Sequence, residues 1–159
     1  MSQISVADYT SLSQMSDSQL TQLFGVRDFF VYEADFATIA AGGNGQFTMT
    51  VQADSNFLWQ YGCFYASTAN AAFQQNTRPI PNMNMTIQDS SSGRQLMSGP
   101  VPIASLFGTG QEPYELPSPR FFRANTTITL SVNNFDAAVS YDLKLSFMGT
   151  KFFKYGSGS

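Results

Sequence analysis

Apolar and polar residues alternate with a period of two over most of the chain beyond Asp28. In FFVYEADFATIA, residues Phe30, Tyr32, Ala34 and Phe36 fall on one side, and Val31, Glu33 and Asp35 on the other. QFTMTVQA sets Phe47, Met49, Val51 and Ala53 against Thr48, Thr50 and Gln52. Alternation of this kind predicts half-buried antiparallel strands. NFLWQYGCFYAST puts Phe57, Trp59, Tyr61 and Tyr65 on one face and Leu58 and Phe64 on the other, which predicts a strand covered on both sides. Further strands are predicted at NMNMTIQD, near VPIASLF, at FFRANTTITLSVNN and at SYDLKLSFMGTKFF, where Tyr141, Leu143, Leu145 and Phe147 oppose Asp142, Lys144 and Ser146. Glycine and proline collect in the joints AAGGNGQ, NTRPIPN, DSSSGRQ, SGP and GTGQEPYELPSP, where positive φ is tolerated and a missing donor does least harm.

Seven or eight short strands punctuated this way predict an all-β chain. The expected architecture is an antiparallel jelly roll or a related Greek-key β-sandwich, with an immunoglobulin-like sandwich and a closed barrel as alternatives. The opening of the chain has a different pattern. SDSQLTQLFG predicts a short helix, with Ser16 as N-cap, Gln19 in capping-box spacing, Asp17 in the first turn and Gly25 as the stop. The chain therefore divides into an N-terminal arm with a short helix (1–25), a β-sandwich domain (26–155) and a flexible tail (156–159). An arm so rich in Ser and Gln has little to pack internally and suits docking on a neighbour.

Composition sharpens this picture in one respect. Charged residues make up 12% of the 159 positions, against about 25% in an ordinary soluble chain. Ser, Thr, Asn and Gln fill 53 positions instead, and aromatics 14%. Amides and hydroxyls are cheaper to desolvate than ions, so such a surface suits a chain that covers its outside with partners. A net charge of −3 with eight scattered Lys and Arg offers no basic stripe for nucleic acid. No apolar run approaches the ~18 residues of a membrane helix. MSQISVADYT has neither a basic start nor an apolar centre, so no signal peptide is expected.

The chain has no histidine and one cysteine, Cys63, which removes the usual nucleophile triads, zinc cages and iron–sulfur ligation. Glu33 and Asp35 form a close pair on one strand face, read as a solvent-facing side rather than a cation site. Glu112 and Glu115 read as loop charges, and GGNG lacks the lysine and following helix of a phosphate loop. No catalytic set, cofactor or metal is expected.

Candidate interface residues come from two aromatic doublets in basic brackets. In SPRFFRANTTITLSVNN, parity from Ile128, Leu130 and Val132 sends Phe122 inward and leaves Phe121 and Arg123 outward, beside Arg120. Phe152 and Phe153 repeat the motif between Lys151 and Lys154, one ring inward and the other free for a neighbour. Arg and aromatics are the types enriched where interfaces are most buried.

Over residues 116–155, a proline before aromatics, then ANTTITLSVNN, a short polar loop and YDLKLSFMGTKFF resembles small β-sandwich virion structural proteins of tailed bacteriophages, of the head decoration or cement type. The resemblance implies a non-enzymatic virion component, made in the host cytoplasm, that binds the major capsid protein or other virion proteins as a homo-oligomer and stabilises the head lattice. It implies no nucleic-acid, membrane or small-molecule partner. A collar, tail or baseplate component is an alternative. So is a lectin-like module with Trp59 or Tyr114 as a sugar platform, or a hydrolase with carboxylates brought together in space.

Overall fold

Strand alternation becomes two facing layers when each apolar side needs cover. The computed structural model describes Ser16, residues 27–68 and residues 82–153. Its strands are β1 (Arg27–Ile39), β2 (Asn44–Thr50), β3 (Ser55–Thr68), β4 (Met83–Asp89), β5 (Arg94–Gln95), β6 (Val101–Pro102), β7 (Tyr114–Phe122), β8 (Thr127–Asn134) and β9 (Tyr141–Phe153). The stretch predicted as a strand near VPIASLF is only the two residues of β6, followed by a 3-10 turn at Ile103–Ser105. The expected N-terminal helix and the C-terminal tail lie outside the described residues.

The first sheet has the order β1-β9-β3-β7, and the second β2-β8-β4-β5 with β6 also on β4. All strand pairings are antiparallel. β1 to β4 alternate between the sheets, as do β7 to β9, so AAGGNGQ is a crossing from one layer to the other rather than a hairpin. Gly42 takes a positive φ of 65° there and its amide reaches the Asp136 carbonyl at 2.8 Å, tying this crossing to the one before β9. β9 is central, paired along its length with both β1 and β3.

The core lies between the layers. Tyr32, Ala34 and Phe36 of β1, Phe57 and Trp59 of β3, and Leu143, Leu145 and Phe147 of β9 face Met83, Met85 and Ile87 of β4 and Ile128, Leu130 and Val132 of β8. Each such side chain contributes about 1.5–3 kcal/mol by leaving water. Trp59 is the pivot: its ring lies 4.6 Å from Phe147 and 5.7 Å from Phe107, and its indole N–H donates to the Tyr61 carbonyl at 2.7 Å.

Two breaks in regularity decide what points outward. The β3 ladders shift between Trp59 and Tyr61, a bulge at Gln60 that reverses parity along the rest of the strand. Tyr61 and Tyr65 therefore do not follow Trp59 inward; they join Leu58 on the outer side, and Phe64 packs against the core instead. The second break is the turn after Phe122. FFRANTTITLSVNN is two strands in different sheets, because Asn125 turns the chain with φ 66° and exchanges bonds of 2.9 Å with Val51 through its own and the Thr126 backbone.

Candidate interaction face

The outer sides of the two sheets differ in kind. The second sheet presents Thr48 and Thr50 of β2, Thr127, Thr129, Ser131 and Asn133 of β8, and Asn84, Thr86 and Gln88 of β4. These hydroxyls and amides bond to neighbours: Ser90 Oγ lies 2.6 Å from Thr129 Oγ1, and the Thr127 amide donates to Ser91 Oγ at 2.8 Å. It is a side made for water.

The first sheet carries rings on its outer side. One row across it reads Phe29 (β1), Thr150 (β9), Leu58 (β3) and Phe121 (β7). The next outward residue of β9 is Phe152, between Arg27 and Asn56. On the other side of that row stand Val31 and Met148, then Tyr61, Cys63 and Tyr65. Phe29 is 68% exposed, Tyr65 61%, Val31 38% and Tyr61 36%. Of the exposed large apolar residues described, only Phe135 lies elsewhere, in the β8–β9 connection. Scattered exposed rings need no explanation, but a contiguous group on one face does.

The face grades into charge at its far end. Lys144 lies 3.4 Å from Glu33 and 3.3 Å from Asp35, and Thr38 donates to Asp142 at 2.8 Å. The hydrogen bond and charge of Asp35, followed by those of Glu33, push the Lys144 amine above its ordinary value. Glu33 and Asp35 are thus a solvent-side pair neutralised in part by one lysine. An apolar centre with a charged, water-accessible margin is the anatomy of a protein contact surface.

Phe121 lies on this face, half-buried opposite Leu58, and Phe122 faces the core opposite Phe57. Arg120 is exposed and in register with Trp59; Arg123 is exposed just past the end of β7, its carbonyl accepting from the Thr126 amide at 3.1 Å. Phe121 and Arg123 are therefore not strand neighbours, since the chain leaves the sheet at Phe122. Phe152 needs correction as a contact residue: its register places it on the outer side, between Arg27 and Asn56, but it is 1% exposed. Phe153 is half-buried, and the bracketing Lys151 is not on the surface at all but 3% exposed under the Phe30 ring, 3.9 Å from its centroid.

Sequence reasoning missed Phe29, Val31, Tyr61 and Tyr65 as face residues. A signal for the first existed: Phe29-Phe30 is a third aromatic doublet, with Phe30 packed on the core and Phe29 outside. The outward rings of the three phenylalanine doublets stand on the same side of the same sheet, grouped around Leu58 and Thr150.

Trp59, the proposed sugar platform, is buried, and Tyr114 is partly buried against the core. An open depression of about 250 Å³ between β3 and the loop before β7 is lined by Phe64, Ala104, Phe107, Gly108, Thr109 and Glu112, with a single carboxylate among them. Among the described residues no three His, Cys, Asp or Glu side chains gather where they could hold a metal ion. Comparison with models of known protein families and with curated protein sequences finds no match.

Proposed function

We propose that this chain is a non-enzymatic assembly protein that docks on other protein surfaces through the outer side of the first sheet, as a structural component of a tailed-phage virion. Head decoration or cement is the role that fits best, with the major capsid protein as partner. One observation carries the reading: three strands of the first sheet, β1, β3 and β7, place Phe29, Val31, Tyr61, Tyr65 and Phe121 on one face, while the opposite face of the same sandwich is hydroxyl and amide. The strand order, β1-β9-β3-β7 against β2-β8-β4-β5, supports assigning the sandwich to the jelly-roll class, an architecture shared by many capsid and lectin domains. The low charge of the chain supports it from a second direction, because little ion desolvation opposes docking.

The test is the composition of particles. Virions of the phage that encodes the chain, purified away from free protein, contain it in many copies by quantitative mass spectrometry. Tyr65→Asp replaces an exposed ring of the face, at the margin where β3 meets Lys144, with a third carboxylate without touching the core, and the variant is expected to fold and to be lost from particles. Absence of the parent chain from virions ends the virion assignment. A Tyr65→Asp variant that loads as well as the parent shows that docking uses another surface.

A further inference from the structure

We infer that β1, an edge strand of the first sheet among the described residues, joins a second copy of this chain across a two-fold axis, merging the two first sheets into one continuous sheet. The inference deepens the docking reading above and rests on it only for the claim that this face meets protein.

The edges of the molecule are unequal. The first sheet ends in β1 on one side and β7 on the other. β7 is interrupted: its ladder to β3 takes no partner between Glu115 and Arg120, the stretch that contains Pro117 and Pro119. Proline cannot donate to an added strand, so this edge is closed to extension. At the edges of the second sheet, β5 and β6 are two residues each, and β2 begins with Asn44 and Gly45. β1 is thirteen residues long and free of proline, and among the described residues only β9 pairs with it. A long edge strand of this kind offers a row of backbone donors and acceptors.

β1 also complements itself. Two copies meeting on a two-fold axis are antiparallel, and a register centred on Phe30 places Phe29 opposite Val31 of the second copy and Val31 opposite its Phe29. These are the two exposed large apolar residues of the strand, 68% and 38% accessible, and both lie on the outer side. An aromatic ring against a β-branched residue is among the favoured cross-strand pairs. The same register sets Glu33 opposite Arg27 of the second copy, opposite charges on both flanks of the apolar pair. A shift by one residue in either direction breaks the Phe29–Val31 match and the charge match together. The joined sheet brings two ring-bearing faces side by side, doubling the docking surface without covering Tyr61, Tyr65 or Phe121, which stand on β3 and β7.

Sedimentation equilibrium of the full chain tests the inference, with far-UV circular dichroism reporting the fold. The parent is expected to sediment as a dimer or an even multiple, and Phe29→Lys to weaken association at least about tenfold, since two cross-strand pairs are lost per dimer. Register is tested by charge exchange. Glu33→Arg and Arg27→Glu each set like charges opposite one another and dissociate, whereas an equimolar mixture of the two restores both opposite-charge pairs and reassociates. A monomeric parent, an association untouched by Phe29→Lys, or a mixture that stays dissociated overturns the inference. Tyr65→Asp leaves the dimer intact, so a failure of particle docking and a failure of this pairing show up in different experiments.

Discussion

Lys151 sits in the inward phase of β9, at the open end of the core, with 3% of its surface accessible. Its Nζ donates to Gln52 Oε1, lies 3.6 Å from Asp54 Oδ1 and stands 3.9 Å above the Phe30 ring, with Tyr32 and Phe153 within 6 Å. Substituting methionine removes the cation and keeps most of the volume; alanine removes both. Losing the desolvated cation–π contact costs about 2 kcal/mol. Losing a charge-assisted hydrogen bond costs a further ~1.5–3 kcal/mol. Against these stands the recovered desolvation of a buried ammonium, several kcal/mol. Asp54 is exposed and returns to water when its partner goes. The opposing contributions nearly cancel, so Lys151→Met is expected within about 1 kcal/mol of the parent in urea unfolding. Lys151→Ala also forfeits about three buried methylenes at ~0.8 kcal/mol each and leaves a cavity, for a cost of about 2–5 kcal/mol. A double-mutant cycle with Phe30→Leu isolates the ring contact, with an expected coupling of about 1–2 kcal/mol. If methionine proves as harmful as alanine, the cation rather than the aliphatic stem holds this end of the sandwich. A coupling below ~0.3 kcal/mol, within the scatter of independent sites, removes the cation–π argument.

Two further outcomes follow from the geometry. A Cβ on Gly149 would lie 1.8 Å from the Leu58 carbonyl oxygen and 3.1 Å from Trp59 Cα, where β9 meets the β3 bulge. Backbone has to move, so Gly149→Ala is expected to lower stability by about 1–3 kcal/mol or more, while Gly99→Ala, which meets nothing within 4 Å, stays within ~0.5 kcal/mol in the same chemical denaturation. Asp136 accepts from the Ala138 and Val139 amides and from Tyr141, and chiefly the Ala138 bond holds its carboxyl below the ordinary 3.8. Asp54 is lowered likewise, foremost by Ser55. Both are more acidic folded than unfolded, so their contribution is complete above the unfolded value and is lost as pH falls through the folded one. Melting temperature should therefore decline on acidification below about pH 4, and Asp136→Asn should flatten that decline; a slope unchanged in the variant refutes the assignment.

The fold class was legible because period two is a backbone property: Tyr32, Ala34 and Phe36, or Leu143, Leu145 and Phe147, must share a side in any strand. The site was legible only in part. Parity from Ile128 put Phe122 inside and Phe121 outside, and both stand so, but not for the reason of one continuous strand. A turn at Arg123–Thr126 intervenes, and its even number of residues preserves the phase. At Gln60 the opposite happened. One unpaired residue, without proline or glycine to announce it, reversed Tyr61 and Tyr65 relative to Trp59. Lys151 was read as a surface bracket from its charge, although its phase matches Leu143 and Phe147; the electron-rich Phe30 ring and Gln52 make the inward position tolerable. Residue type and phase conflicted there, and phase won.

In a strand, consecutive side chains point to opposite sides, so an aromatic doublet commits one ring to each face of its sheet. A sheet covered on one side alone would be expected to avoid such doublets. The first sheet contains four, at Phe29-Phe30, Phe64-Tyr65, Phe121-Phe122 and Phe152-Phe153, one on each of β1, β3, β7 and β9; the described strands of the second sheet contain none. The core accounts for Phe30 and Phe122, and Lys151 engages Phe153 at 5.8 Å. Of the outward rings of these doublets, Phe29 and Tyr65 are the exposed ones, at 68% and 61%, while Phe121 is half-buried and Phe152 buried on the same side. Leaving a ring like Phe29 in water forgoes up to about 1.5–3 kcal/mol of burial. A polar residue at Phe29 would cost the core nothing, as the hydroxyl-bearing outer side of β8 demonstrates in the same molecule. The first sheet thus carries rings on both of its sides while the second carries them on its inner side alone, and that asymmetry is what the proposed docking face rests on.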